Sequence, residues 1–94
     1  MGMCIIDGKL YDTDTAEKVT TFQKRLPAFG DLVSINKPAK LYKTLNGRWF
    51  STVAGRAPDE VWFFEETEGT AKNILTDLTA VEAYNKFIGK LEEA

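Results

Sequence analysis

Residues 41–53 read LYKTLNGRWFSTV, and this stretch decides the fold. Two runs rich in β-branched and aromatic residues flank Asn46-Gly47, the preferred two-residue loop of a β-hairpin. Such a loop fixes the register, so Leu41 is predicted to oppose Thr52 and Lys43 to oppose Phe50. Each face then mixes apolar and polar side chains: Leu41, Leu45 and Phe50 with Lys43 and Arg48 on one, and Tyr42, Trp49 and Val53 with Thr44 and Ser51 on the other. Both faces are therefore expected to meet another part of the protein or a partner.

A second hairpin is predicted at residues 3–11, where Asp7-Gly8 separates two short apolar runs. Asp-Gly readily adopts the positive φ angles of a type I′ turn. Further along, the apolar run at residues 61–64 predicts a central strand that is buried on both faces at its start. Glu65-Glu66 predicts a solvated end for this strand.

Capping patterns predict two helices. Asp14 with Glu17 three residues later predicts a short helix near 14–19. Thr79 with Glu82 predicts the start of an amphipathic helix near 80–92. Its apolar stripe has helical spacing and consists of Val81, Tyr84, Ile88 and Leu91. Residues 68–70 are expected to break the preceding strand, and residues 73–78 fit either a strand or a loop.

The order of these elements predicts an α+β fold with a mainly antiparallel sheet of five to six short strands, two hairpins and a closing helix. Extended structure at residues 19–23 is expected to be interrupted at Leu26-Pro27 and Gly30-Asp31, before a short strand at residues 32–35. The 94 residues are expected to form a single domain, 1–94. Met1-Gly2 is interpreted as a cloning scar ahead of a native start.

The composition excludes several classes of active site. The chain has no histidine and a single cysteine, Cys4. This excludes serine–histidine and cysteine–histidine catalysis, and zinc sites built on histidine or on several cysteines. Ser34 and Ser51 lie in no nucleophile motif, and the glycines form no phosphate-binding loop. We therefore expect a protein that is not an enzyme and that uses no metal and no cofactor.

The same composition suggests where the protein acts. The longest apolar runs are too short for a membrane helix or for the core of a signal peptide. The single cysteine agrees with a reducing compartment. A cytoplasmic protein without a membrane partner is expected.

Charge is unevenly distributed along the chain. Residues 1–57 contain nine lysines and arginines against five acids, whereas residues 58–94 contain three against nine. The two halves either form patches of opposite sign, which steer a charged partner, or interleave and cancel.

Two surfaces are candidates for contact with a partner. The first is an acidic patch made of Asp59, Glu60, Glu65, Glu66 and Glu68. The second is a basic aromatic hairpin, which would stack on unpaired bases and pair with phosphates. It consists of Tyr42, Lys43, Arg48 and Trp49. The alternative interpretation of these aromatic residues is ordinary sheet packing. Asp12 and Asp14 are candidate ligands of a metal-dependent nuclease, although a strand end and a helix cap explain them as well.

Three segments together resemble a known group of proteins: residues 5–17, residues 41–50 and the helix start at Leu78-Thr79. Their layout is similar to that of small proteins of bacterial plasmids, phages and integrative elements, especially from Firmicutes. Some of those proteins are, or sit beside, anti-CRISPR inhibitors of the type II RNA-guided nuclease. The resemblance implies a protein of a mobile genetic element that acts in the cytoplasm of a bacterial host.

The partner implied by the resemblance is a type II CRISPR effector nuclease or its ribonucleoprotein. The acidic patch would mimic nucleic acid and occupy the basic channel of this effector in place of phosphates. The alternative is a small RNA- or single-strand-binding module that uses the basic aromatic hairpin.

Overall fold

The computed structural model describes residues 2–28, 32–57 and 59–93. These residues form an α+β fold with antiparallel strands, which confirms the predicted fold class. The strands are β1 (Met3–Ile6), β2 (Lys9–Asp12), β3 (Glu17–Ala28), β4 (Val33–Lys43), β5 (Trp49–Ala54) and β6 (Val61–Glu66). Two helices follow, α1 (Glu68–Asp77) and α2 (Val81–Phe87).

The main sheet has four strands in the order β3-β4-β5-β6, and β1 and β2 form a separate two-stranded sheet. β6 is therefore an edge strand, and the prediction that it is a central strand buried on both faces is wrong. Val61 and Trp62 at its start are exposed. The central strands are β4 and β5, which contain the fully buried Leu41 and Phe50.

The first hairpin has the predicted turn. Asp7 and Gly8 have φ angles of 51° and 72°. Because Ile6 pairs with Lys9, Asp7 and Gly8 form the whole loop. Positive φ at both central positions is the signature of a type I′ turn, which confirms the prediction.

The second hairpin exists, but its predicted register is wrong by one residue. Lys43 pairs with Trp49, and Tyr42 pairs with Phe50. Because side chains alternate between faces, the shift moves every residue of β5 to the face opposite the predicted one. Phe50 therefore shares a face with Tyr42, while Trp49 lies on the face of Leu41.

The loop of this hairpin explains the shift. The amide of Gly47 donates to the carbonyl of Thr44 at 2.9 Å, and the amide of Thr44 donates to the carbonyl of Arg48 at 2.8 Å. Gly47 has a φ of 85°. These features define a three-residue loop, a turn followed by a left-handed glycine, in place of a two-residue loop. Leu45 therefore lies in the loop and is 88% exposed.

The predicted helix near 14–19 is wrong, because β3 begins at Glu17. Asp14 caps no helix. Its amide instead donates to Oδ1 of Asp12 at 2.8 Å, and the amide of Ala16 donates to the carbonyl of Asp12 at 3.0 Å, which closes a turn. The β-branched run at residues 19–21 favours a strand over a helix, and that preference decides the outcome.

β3 and β4 are much longer than the predicted short strands. β3 continues through Leu26-Pro27, and Pro27 pairs with Ser34 of β4. Proline is tolerated there because β3 is an edge strand, where its missing amide costs no ladder hydrogen bond. The interruption predicted at Gly30-Asp31 lies outside the described residues.

The helices differ from the prediction in number and in bounds. α1 was not predicted. Thr67 precedes it, and its hydroxyl accepts from the amide of Thr70 at 3.0 Å. α2 confirms the closing helix, but it ends at Phe87 instead of near residue 92. Thr79 is not its N-cap, since it has a φ of 51° and Ala80 occupies that position.

Each face of the main sheet carries its own core, as the mixed patterning predicted. The helices pack on the face of Leu41, Trp49 and Val53, with Ala71 from α1 in the same cluster. The β1–β2 sheet packs on the other face, where Tyr11 joins a cluster that contains Phe50.

Candidate functional site

The four residues of the predicted basic aromatic hairpin do not form one surface. Trp49 is only 4% exposed, and its ring meets the ring of Phe87 edge-on at 6.4 Å on the helix side. Tyr42 is buried on the opposite face, stacked on Phe50 at 5.0 Å. Nζ of Lys43 donates to the carbonyl of Phe87 at 2.8 Å. Arg48 alone is exposed, so both aromatic rings serve the cores.

The predicted acidic residues are divided between the two ends of β6. Asp59 and Glu60 precede this strand, whereas the other acids lie at its far end and at the start of α1. The five steps along the strand separate the two groups by about 17 Å. Oε1 of Glu60 accepts from the amide of Arg56 at 2.8 Å. That hydrogen bond is the main reason why the pKa of Glu60 is lowered.

Glu66 is the one predicted acid that is buried. Its side chain is 5% exposed. Its Oε2 accepts from Nζ of Lys24 and from the hydroxyl of Ser51, both at 2.6 Å. The expectation of a solvated end for β6 is therefore wrong at Glu66, because its carboxylate is buried and forms hydrogen bonds within the protein.

Glu65 and Glu68 remain exposed beside an open cleft of about 440 Å³ that Tyr11 and Arg48 also line. The hydroxyl of Tyr11 donates to Oε2 of Glu65. Burial raises the pKa of Tyr11, and the bond to Glu65 raises it further. The cleft thus brings together residues of the predicted acidic patch and of the predicted basic aromatic hairpin. The positive charge of Arg48 offsets part of the negative charge of Glu65 and Glu68.

The ion pair between Lys24 and Glu66 reveals that the main sheet is strongly curved. Lys24 lies on β3 and Glu66 on β6, the two opposite edges. On a flat sheet, these edges would be about 14 Å apart even at the same height along the strands. The sheet therefore curls around its helix-side face, and this leaves the other face of β3 and β4 convex.

We call β3 and β4 together the ribbon. β4 pairs with β5 only from Ala39 to Lys43, whereas its pairing with β3 continues to Val33 opposite Ala28. Residues 23–28 and 33–38 therefore form an arm that is only two strands wide.

At residues 21–27 and 34–40, the convex face of the ribbon is exposed and mostly polar, and Pro27 and Pro38 are its apolar members. On β3, Gln23 and Arg25 project outward while Phe22 and Leu26 are buried on the concave side. Arg25 lies opposite Asn36. Thr21 and Lys40, which pair with each other, belong to the same outward-facing set.

The charge of the ribbon is strongly positive. Its two strands contain six lysines and arginines and one acid, Glu17. Lys24 is engaged with Glu66, and Glu17 pairs with Lys86 at 2.7 Å. Neither Arg25 nor Lys40 makes an ion pair with any of the residues that the structure describes. Sequence reasoning missed this face, although the alternation of polar and apolar residues at 21–26 signals it.

The described ranges contain no group of three or more potential ligands that could hold a metal ion. Within the same ranges, no helix has the length and apolar composition needed to cross a membrane.

Searches against protein-family models, curated proteins and solved structures found no match to this chain. The resemblance to mobile-element proteins therefore stays a prediction.

Proposed function

We propose that this protein is a binding protein, not an enzyme, that contacts nucleic acid in the bacterial cytoplasm through the convex face of the ribbon. The observation that carries the proposal is the exposure of Arg25 and Lys40 on this face, together with the polar Gln23 and Asn36. Unpaired cations attract phosphates, and amide side chains form hydrogen bonds with either the backbone or the bases.

The net charge of −2 does not conflict with this proposal. Electrostatic attraction between exposed groups is screened beyond about 10 Å at moderate ionic strength, so a phosphate senses mainly the charges nearest to it. On the ribbon these charges are positive. The excess of acids follows β5, at residues 59–94.

The test is a binding titration of fluorescently labelled 30-mer oligonucleotides, single-stranded and duplex, at several salt concentrations. The double variant Arg25→Glu, Lys40→Glu is expected to bind at least tenfold more weakly. The magnitude of the slope of log K against log salt is expected to fall by at least about one, because positive charge next to the phosphates is lost. Lys72→Glu is the matched control, since Lys72 is an exposed lysine on α1. The proposal fails if the wild-type protein binds none of the oligonucleotides at low salt.

A second candidate function is inhibition of a nucleic-acid-processing effector by acidic mimicry, as the mobile-element resemblance implies. The exposure of Glu65 and Glu68 beside one cleft favours it. In this case the purified protein would bind a type II effector nuclease that lacks its guide RNA. Glu65→Gln with Glu68→Gln would weaken that binding, and Arg25→Glu would not. Binding that is unaffected by the two glutamine substitutions would eliminate this candidate.

A further inference from the structure

The convex face of the arm carries the types of side chain that read base edges. Arg25 and Asn36 lie directly opposite each other, and Gln23 precedes Arg25 by two residues on the same face. Directly opposed side chains start about 5 Å apart. Arginine makes paired hydrogen bonds to guanine, and asparagine and glutamine make them to adenine, all in the major groove. The arm thus brings three potential base-reading groups close together.

The dimensions of the arm suit the major groove of duplex DNA. Two strands about 4.8 Å apart, with their side chains, fit a groove about 12 Å wide and 8.5 Å deep. β5 pairs with β4 only as far as Ala39, so the third strand does not widen the arm. The six residue pairs of the arm span five steps, or about 17 Å, which matches about five base pairs.

The position of the aromatic residues favours a duplex over a single strand. Proteins that bind single strands stack bases on exposed aromatic rings. In this sheet, Tyr42 and Phe50 stack on each other, and Phe22 and Trp49 are buried in the helix-side core. The convex face therefore offers hydrogen-bonding groups where a single-strand binder would offer rings.

We infer that the arm lies in the major groove of duplex DNA, where Arg25, Asn36 and Gln23 contact base edges. Lys40 lies nearer the body of the sheet and contacts a flanking phosphate. Duplex RNA is a poor ligand because its major groove is too deep and narrow for side chains to read. This inference rests on the proposed function and specifies its ligand.

The first experiment is a competition among three probes of one sequence: a 20-base-pair DNA duplex, its single strand, and the corresponding RNA duplex. The DNA duplex is expected to compete at least tenfold better than the other two. If the single strand or the RNA competes equally well, this inference fails while the proposed function survives. If no probe binds, both fail.

The second experiment separates base reading from phosphate contact. DNA duplexes that the wild-type protein prefers are first selected from a random-sequence library. On the selected duplex, Arg25→Ala is expected to weaken binding about tenfold and to remove the preference for one base pair. Lys40→Ala is expected to weaken binding to all sequences equally and to lower the salt slope by about one.

Replacing guanine by 7-deazaguanine in the selected duplex removes a major-groove acceptor and is expected to reproduce the loss caused by Arg25→Ala. Lys72→Ala, on α1, is the control for both measurements. Circular dichroism checks that each variant is folded. The inference is overturned if Arg25→Ala and Lys40→Ala produce the same uniform loss, or if 7-deazaguanine has no effect.

Discussion

The two faces of the main sheet use their charged side chains in opposite ways. On the helix-side face, Glu66 of β6 is buried and accepts hydrogen bonds from Lys24 and Ser51. On the ribbon, Arg25 and Lys40 are exposed and form no ion pair with the described part of the chain. A charge that holds the fold together can meet a partner only if its internal bonds break. The convex face of the ribbon is therefore a charged surface that is free to bind.

The largest effect on stability is expected at the buried ion pair. Glu66→Ala should lower the free energy of unfolding by about 3 kcal/mol, because it leaves the Lys24 ammonium without its partner. Urea denaturation measures this change. The double variant Lys24→Met, Glu66→Leu is the control, and it should lose less than the sum of the two single alanine variants. A loss below about 1 kcal/mol for Glu66→Ala would place this pair with ordinary surface ion pairs.

The next largest effect is expected at Tyr11. Tyr11→Phe should lower the free energy of unfolding by about 1.5 kcal/mol, because it removes a hydrogen bond to a carboxylate. The pKa of Tyr11 is raised above its ordinary value of 10.0, mainly by burial. The folded state therefore favours the neutral form of Tyr11. The contribution of neutral Tyr11 to the free energy of unfolding is fully present below pH 10. That contribution is lost as the pH rises through the higher pKa of the folded protein.

Comparing Tyr11→Phe with the wild type over pH 8–12 isolates this contribution from the titration of lysines. The difference in unfolding free energy should narrow as the pH rises. A difference that stays constant over this window would contradict the assignment.

A small effect is expected at the exposed ion pair between Lys86 and Glu17. Their side chains are 64% and 53% exposed. Lys86→Ala should change the free energy of unfolding by only about 0.3 kcal/mol, and by less in 0.5 M salt, because solvent screens the pair. If Lys86→Ala lowered the free energy of unfolding as much as Glu66→Ala does, solvent exposure would not explain the difference between the two ion pairs.

The smallest effect on stability is expected at the binding face itself. Arg25→Ala should change the free energy of unfolding by less than about 0.5 kcal/mol, because an exposed side chain without an ion pair contributes little. The same variant should lose affinity for duplex DNA. A loss above 1 kcal/mol would assign Arg25 to the fold and would remove the contrast between the two faces.

Local sequence patterns predicted both hairpins and the turn type of the first one, and they failed at the second hairpin, where two loop lengths compete. Asp7-Gly8 adopts the type I′ turn that its residues favour. Asn46-Gly47 contains an equally favourable pair, but there the glycine alone has positive φ and the loop is one residue longer. A two-residue loop and a three-residue loop leave different residues of β4 and β5 opposite each other. Which loop forms depends on side-chain packing across the whole sheet. The sequence alone therefore left the faces of β5 undetermined.

The candidate site was harder to predict because its key contacts are remote in sequence. Lys24 and Glu66 are 42 residues apart, and only the curvature of the sheet brings them together. Without that contact, Glu66 looks like any exposed acid at the end of a strand. The outward position of Arg25 follows from alternation along β3, but the proline at position 27 suggested that the strand ends there, so its continued pairing with β4 was not predicted.

The separate sheet of β1 and β2 divides the domain into parts of unequal stability. A two-stranded hairpin is marginal by itself, and this one is held to the main sheet by a few side chains such as Tyr11. Its backbone amides should exchange with solvent through local opening, at a lower free energy than the amides of β4 and β5. Hydrogen exchange would then find an N-terminal segment that detaches while the curved sheet, its helices and the ribbon stay folded.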